Sequence, residues 1–324
     1  MKLNTVNASF ILASLAALTL AGAVYTLDDS IVGEGFYSSF NFEAIADPTN
    51  GRVIYVDQQT AQMLNLTYAT SNTFIMRADD TTVLTSSGPG RNSVRIRSNR
   101  QYKQHCCRHM PEGCGTWPAV WETNEADWPA GGEVDIVEGV NNVEPNQSTL
   151  HTSPNCSMPA STDQLGTTVS TNCDTTVDGN LGCGVHFTED YGSFGPAFNS
   201  IDGGWYAMER TNSHIKVWFW ERDDKSAPFD ATSGAWLIDT NFWGTPAAYF
   251  PNTYCDLASH FDANNIIINL TFCELMQCAG GDWAGSSAVY AASGCPSDCV
   301  SYVDNNPTAF TNAYFQFSSI NVYT

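Results

Sequence analysis

The sequence predicts an all-β protein, a sandwich of antiparallel sheets, and three observations carry that expectation. Strand-length runs bounded by Gly, Asn, Asp, Ser or Pro recur along the 324-residue chain, whereas helical periodicity is absent. Val94 and Ile96 alternate with Arg95 and Arg97, as in a strand with one buried face. Residues 205–221 read as an antiparallel hairpin turning at Asn212-Ser213. Many short strands separated by turn signals make a β-sandwich.

In chain order, residues 1–23 come first and read as a secretory leader: Lys2 is the positive start, residues 10–20 the apolar run and Ala21-Gly22-Ala23 the small-residue cleavage site. The apolar run is shorter than the ~20 residues a membrane span needs. The mature chain is therefore expected to begin near Val24, to be secreted and to have no membrane association after cleavage. Strands are expected over 52–56, 73–77, 93–97, 133–140, 205–210, 214–221, 265–272 and 313–323. No internal repeat or low-complexity linker interrupts 24–324, which predicts one domain acting as a monomer. The long connection 141–186 is rich in Ser, Thr, Asn, Pro and Gly and holds Cys156, Cys173 and Cys183. It is expected to form disulfide-stapled loops at the rim of a cleft.

Eleven cysteines fit an oxidising export route, and none has zinc-ligand spacing; Cys295 and Cys299 are expected in bridges. Asn65, Asn146, Asn155 and Asn269 each begin a glycan-acceptor triplet. A net charge of −21 argues against nucleic acid, whose binding needs a clustered positive surface, and against any polyanionic substrate. Charged residues make up 15% of the chain and aromatic residues 12%, a balance that suits a neutral sugar polymer on which rings can stack.

The most informative segment follows Gly131-Gly132: Glu133-Val134-Asp135-Ile136-Val137-Glu138. The β-branched residues predict a strand. A regular strand would turn Glu133 and Asp135 to one face and bury Glu138 beside Val134 and Ile136, a costly place for a carboxylate. One extra residue at Ile136-Val137, a β-bulge, returns Glu138 to the acidic face. Glu133 and Glu138 then lie four strand steps apart. If both lean inward, their carboxyls approach to about 5 Å, the separation of a retaining rather than an inverting glycosidase.

The stretch from Gly131 to Asn141 resembles the active-site strand of glycoside hydrolase family 16, in its fungal laminarinase-type branch. The resemblance extends to Ile31-Val32-Gly33, Glu43-Ala44-Ile45-Ala46-Asp47-Pro48, Arg108-His109-Met110-Pro111, Gly113-Cys114-Gly115-Thr116-Trp117-Pro118-Ala119 and Gly281-Asp282-Trp283-Ala284-Gly285. It implies a jelly-roll β-sandwich of two antiparallel sheets with a concave glycan-binding cleft. It also implies retaining hydrolysis of internal β-1,3 or mixed β-1,3/1,4 glucan bonds, with a β-glucan polysaccharide as partner; no organic cofactor is implied, no residue is assigned to a metal, and a structural calcium is left open. Carried over, Glu133 is the nucleophile, Glu138 the general acid and base, and Asp135 the group between them that keeps one carboxyl protonated while another is ionised. Trp117, Trp121, Trp128, His151, Arg95 and Trp283 match substrate-binding positions, Arg95 more loosely because Arg97 shares its strand face. Trp218 and Trp220 are read as packing or cleft wall, and Glu112, Glu122, Glu125 and Glu144 as surface carboxylates.

Two segments depart from the resemblance: His105-Cys106-Cys107 stands where a longer apolar strand is expected, and residues 274–280 form an insertion. Without Cys106, Cys107 and Cys278 there remain eight cysteines, compatible with four disulfides of undetermined pairing. Two other functions share these residues: a cell-wall β-glucan transglycosylase, and a catalytically impaired β-glucan-binding protein. Transglycosylase-like members of the family often lack the extra strand residue, so its presence favours hydrolysis.

Overall fold

The structure is a computed structural model that describes residues 24–102, 109–188, 192–273 and 287–324. The expected leader, both departing segments and Trp283 lie outside the described residues. Eight antiparallel strands form the largest sheet, in the spatial order Thr167–Thr168, Cys183–His186, Gln147–His151, Glu133–Glu138, Thr116–Thr123, Asn264–Phe272, Arg95–Tyr102 and Phe40–Phe42. The acidic strand is fourth and paired on both sides, so its carboxylates stand on an interior strand of the platform rather than on an edge.

The opposite layer is built from three-stranded ladders, one of Leu237–Asp239, Val24–Ile31 and Ile320–Tyr323, one of Gly204–Arg210, His214–Glu221 and Ala248–Pro251, and one of Tyr314–Phe317, Phe74–Arg77 and Thr67–Ala69. Val134, Ile136, Ile266 and Ile268 of the large sheet share one buried cluster with Met208, Val217, Phe250, Phe315 and Val322 of these ladders. Each of those side chains contributes roughly 1.5–3 kcal/mol by leaving water. The result is a jelly-roll β-sandwich, with strands distant in sequence, such as Thr116–Thr123 and Asn264–Phe272, side by side. The second layer differs from expectation in being divided among ladders rather than one sheet, and Val53–Tyr55 pairs with Arg91–Ser93 in parallel.

The hairpin forms as expected, with Gly204–Arg210 against His214–Glu221. Residues 313–323 split into two strands, and the described α-helices reach only seven residues. None is long and apolar enough to cross a membrane. The connection 141–186 is more ordered than stapled loops, for it contributes three strands of the large sheet. Four disulfides, Cys114–Cys295, Cys156–Cys255, Cys173–Cys183 and Cys273–Cys299, use the eight cysteines left after setting aside Cys106, Cys107 and Cys278. Of the glycan-acceptor asparagines, Asn65 and Asn155 are exposed. Asn146 and Asn269 are buried with their side-chain amides hydrogen-bonded, so in the fold they offer no glycan attachment.

Candidate active site

Two glycines bracket the acidic strand because nothing larger fits. Gly132 has φ +73°, and a Cβ there would stand 2.4 Å from Phe261 Cδ1 and 2.5 Å from His260 O. At Gly139 a Cβ would stand 2.6 Å from Phe194 Cζ. Between them the expected bulge is present. Against Thr116–Thr123, Trp121 faces Asp135 and Val120 faces Val137, so Ile136 has no opposite residue. Against Gln147–His151, Gln147 faces Glu138 and Thr149 faces Asp135. Ile136 and Val137 both enter the core, at 1% exposure, and Glu133, Asp135 and Glu138 all line one cleft.

That cleft holds about 470 Å³. Period-two alternation builds its floor: Trp117, Ala119, Trp121 and Thr123 from one strand, Asn269 and Thr271 from the next, then Arg95, with His151 on the far side of the acidic strand. Asp47 secures one wall, accepting from Thr49 N at 3.2 Å, Gly51 N at 3.0 Å and the Thr271 hydroxyl. A second cavity of about 500 Å³ includes Tyr25, Glu209 and Thr324 in its lining. Its two carboxylate side chains are engaged structurally: Glu209 accepts from Tyr25 at 2.9 Å and Thr240 at 2.6 Å and meets His214 Nε2 at 2.7 Å, and Asp28 pairs with Arg100 at 2.6 Å.

The two outer carboxyls are each held by an indole. Trp128 Nε1 donates to Glu133 Oε2 at 2.9 Å, and Trp117 Nε1 donates to Glu138 Oε1 at 3.1 Å. Asp135 Oδ2 lies 3.4 Å from His151 Nε2, and His151 Nδ1 meets Asn180 Oδ1 at 2.9 Å. Since Asn180 Oδ1 can only accept, Nδ1 carries the proton and neutral Nε2 faces Asp135 as an acceptor. Burial holds His151 below its ordinary value, which favours that neutral ring. Burial, then the charges of Glu138 and Glu133, push Asp135 well above the usual carboxylate range, toward its protonated form. Burial also raises Glu133, to about 7, against the Trp128 hydrogen bond and the Arg95 charge, which both favour ionisation.

Donor atoms of Glu133, Asp135 and His151 lie within 4.8 Å of one another, a spacing a metal ion could bridge. Ligation there would need the Asp135 carboxylate in its ionised form.

Arg95 is one of the expected substrate-binding residues. It lines the cleft, but its Nε donates to Glu43 at 2.9 Å, its Nη2 donates to Glu125, and its guanidinium stacks 5.1 Å from the Trp121 ring. It is a buried brace with charge felt at Glu133. Arg97 shares Glu43 and Glu125 from outside the cleft lining. Two glutamates read as surface groups are otherwise engaged: Glu125 joins this network at the cleft, and Glu122 is fully buried in an ion pair 2.6 Å from Arg210 Nε, across the sandwich. Trp218 and Trp220 are core residues packed edge-on to Trp243. Sequence reasoning missed Asn180, Asn269 and Thr271 in the cleft; only the alternation of Asn269 and Thr271 in an isoleucine-rich strand could have flagged the last two.

The cleft and its bulged acidic strand lie within residues 40–323, which match the model of the XgeA-like catalytic GH16 domain. The chain belongs to glycoside hydrolase family 16. Among its family relatives, a probable endo-1,3(4)-beta-glucanase of Aspergillus niger is 42% identical over 96% of this chain and 41% of its own length. The endo-1,3(4)-beta-glucanase xgeA of Emericella nidulans is 39% identical over 94% of this chain and 48% of its own. The chain thus spans about half the length of these curated relatives. Among solved family 16 structures, laminarinase 16A of Phanerochaete chrysosporium, with 6-O-glucosyl-laminaritriose in its donor and acceptor sites, is 59% identical with a TM-score of 0.89, covering 93% of this chain and 100% of that one. An elongating family 16 beta-1,3-glucosyltransferase is 36% identical with a TM-score of 0.83, at the same coverage.

Proposed function

We propose that this family 16 domain is a secreted, retaining endo-β-glucanase that hydrolyses internal β-1,3 or mixed β-1,3/1,4 glucosidic bonds. The observation that carries the reading is the bulged strand that turns Glu133, Asp135 and Glu138 into one cleft, two of them oriented by tryptophan N–H groups. The similarity to fungal endo-1,3(4)-beta-glucanases and to a laminarinase crystallised with β-glucan supports the substrate class. Export is supported by the leader-like start and four disulfides.

In the first step ionised Glu133 attacks the anomeric carbon. The bond to the glycosidic oxygen breaks as the bond to the Glu133 carboxylate forms, and Glu138 gives its proton to the leaving oxygen. In the second step Glu138 takes a proton from water, whose oxygen displaces Glu133 from the same carbon. One water is consumed and both residues return to their starting forms. Asp135, holding a proton between them, limits the negative charge of the cluster so that Glu133 can ionise while Glu138 stays protonated. Trp121, Trp117 and the 44%-exposed ring of Trp128 offer faces for neutral pyranose rings. His151 orients Asp135, and the substrate contact of Trp283 belongs to the same proposal.

The test is reducing-end release from laminarin, lichenan and cellulose, with product sizing, for the mature chain and Glu133→Gln. Internal cleavage of laminarin or lichenan is expected, reduced about 1000-fold or more in the variant; an unchanged rate in Glu133→Gln overturns the nucleophile assignment. Similarity to the elongating glucosyltransferase favours one second reading, in which a glycan hydroxyl replaces water in the second step. Products longer than the substrate as the main outcome, with excess acceptor oligosaccharide, would establish that reading instead.

A further inference from the structure

The extra residue that turns Glu138 into the cleft also breaks the backbone ladder on which Glu138 stands. Ile136 has no opposite residue on Thr116–Thr123, and on Gln147–His151 the register slips between Gln147 and Thr149. A single side chain spans the break. Asn146 Nδ2 donates to Ile136 O at 3.0 Å, and its Oδ1 accepts from Glu138 N at 3.0 Å. Ser148 Oγ adds a second donor to Ile136 O at 3.0 Å. The Asn146 carboxamide therefore presents to the bulge the C=O and N–H that a regular strand would have supplied. Asn146 is itself immobilised: it is fully buried, its N–H donates to Ser193 Oγ at 3.0 Å, and its carbonyl accepts from Phe187 N at 2.9 Å.

We infer that Asn146 is a positioning residue for the acid and base step, fixing the backbone of Glu138 so that its carboxyl meets the glycosidic oxygen and then the attacking water. The inference rests on the reading of Glu138 as general acid and base. It gives Asn146 a role distinct from mere packing, because a loosened bulge releases Glu138 while Glu133, at the other end of the strand, keeps its backbone pairing to Thr123 and His151. Loss of Asn146 should thus impair proton transfer and spare nucleophilic attack.

The experiment compares wild type, Asn146→Ala, Asn146→Asp and Glu138→Ala on laminarin and on 2,4-dinitrophenyl β-laminaribioside, whose leaving group departs without a proton, with and without azide. Asn146→Ala should lose about 10- to 100-fold in kcat on laminarin with KM within about threefold, the cost of displacing a catalytic group. It should still form the covalent intermediate rapidly from the dinitrophenyl substrate. Azide, which needs no general base, should raise its turnover several-fold and yield the β-glycosyl azide, as it should in Glu138→Ala. Equal losses on both substrates without azide rescue, or wild-type kcat on laminarin, would overturn the inference. Should Asn146→Ala fail to fold, the isosteric Asn146→Asp decides by the same criteria, since it keeps the acceptor for Glu138 N and removes the donor to Ile136. Wild type inactive on both substrates, with no azide effect in Glu138→Ala, would instead overturn the glucanase reading itself.

Discussion

Glu133, Asp135 and Glu138 crowd three acids into a space that burial keeps poor in water, and burial with the neighbouring charges pushes Asp135 toward its protonated form. Both Glu133, raised to about 7, and Asp135, raised well above its ordinary value, bind protons more tightly folded than unfolded. Their contribution to stability is therefore present at acid pH, below the unfolded values, and is lost as pH rises through the folded ones. Asp135→Asn removes the Asp135 share of that loss. It should melt about 2–6 °C above wild type at pH 8, with the gap closing toward pH 4 in thermal scans; a gap that grows toward acid would contradict this electrostatic account. The three carboxyl identities were legible in the sequence because alternation with Val134, Ile136 and Val137 admits few other uses. The indole bonds from Trp117 and Trp128 were not, since Trp117 meets Glu138 only through strand pairing across the sheet.

The acidic strand works as an element because its ends and its break are specified by separate residues. Gly132 admits the chain at φ +73° under Phe261 and His260, and Gly139 lets it pass the Phe194 ring. Gly132→Ala combines a strained backbone with a Cβ placed 2.4 Å from an aromatic carbon. It should cost about 2–4 kcal/mol in urea unfolding, and a change under about 0.5 kcal/mol would show that Phe261 and the main chain yield freely. The bulge could be deduced from sequence because burying Glu138 is untenable. The neighbouring strand Thr116–Thr123 could not, because Pro118 reads as a strand breaker. Its tolerance is explained by register: Glu133–Glu138 pairs with this strand only from Ala119 onward, so Pro118 interrupts no ladder on that side. The short strand Gln147–His151 was hidden in a polar connection, its Ser, Thr and His serving the cleft and the bulge rather than announcing a strand.

At the scale of the molecule, two layers share one apolar core while long-range disulfides such as Cys114–Cys295 and Cys156–Cys255 tie the connections to it. The fold class followed from short alternating strands, but the division of the second layer into separate ladders depends on pairings far apart in sequence, such as Val24–Ile31 with Ile320–Tyr323. A net charge of −21 and an aromatic cleft fit the neutral polymer proposed as substrate. The most direct test of the central claim, that this scaffold presents Glu133 as the nucleophile of a double displacement, is to trap the intermediate. The chain is incubated with a 2-deoxy-2-fluoro-β-laminaribiosyl fluoride, digested with protease and analysed by mass spectrometry. A single glycosyl adduct on Glu133, absent from Glu133→Gln, is the predicted result; an adduct on Glu138 or Asp135, or turnover by wild type with no covalent adduct and inversion at the anomeric carbon, would contradict it.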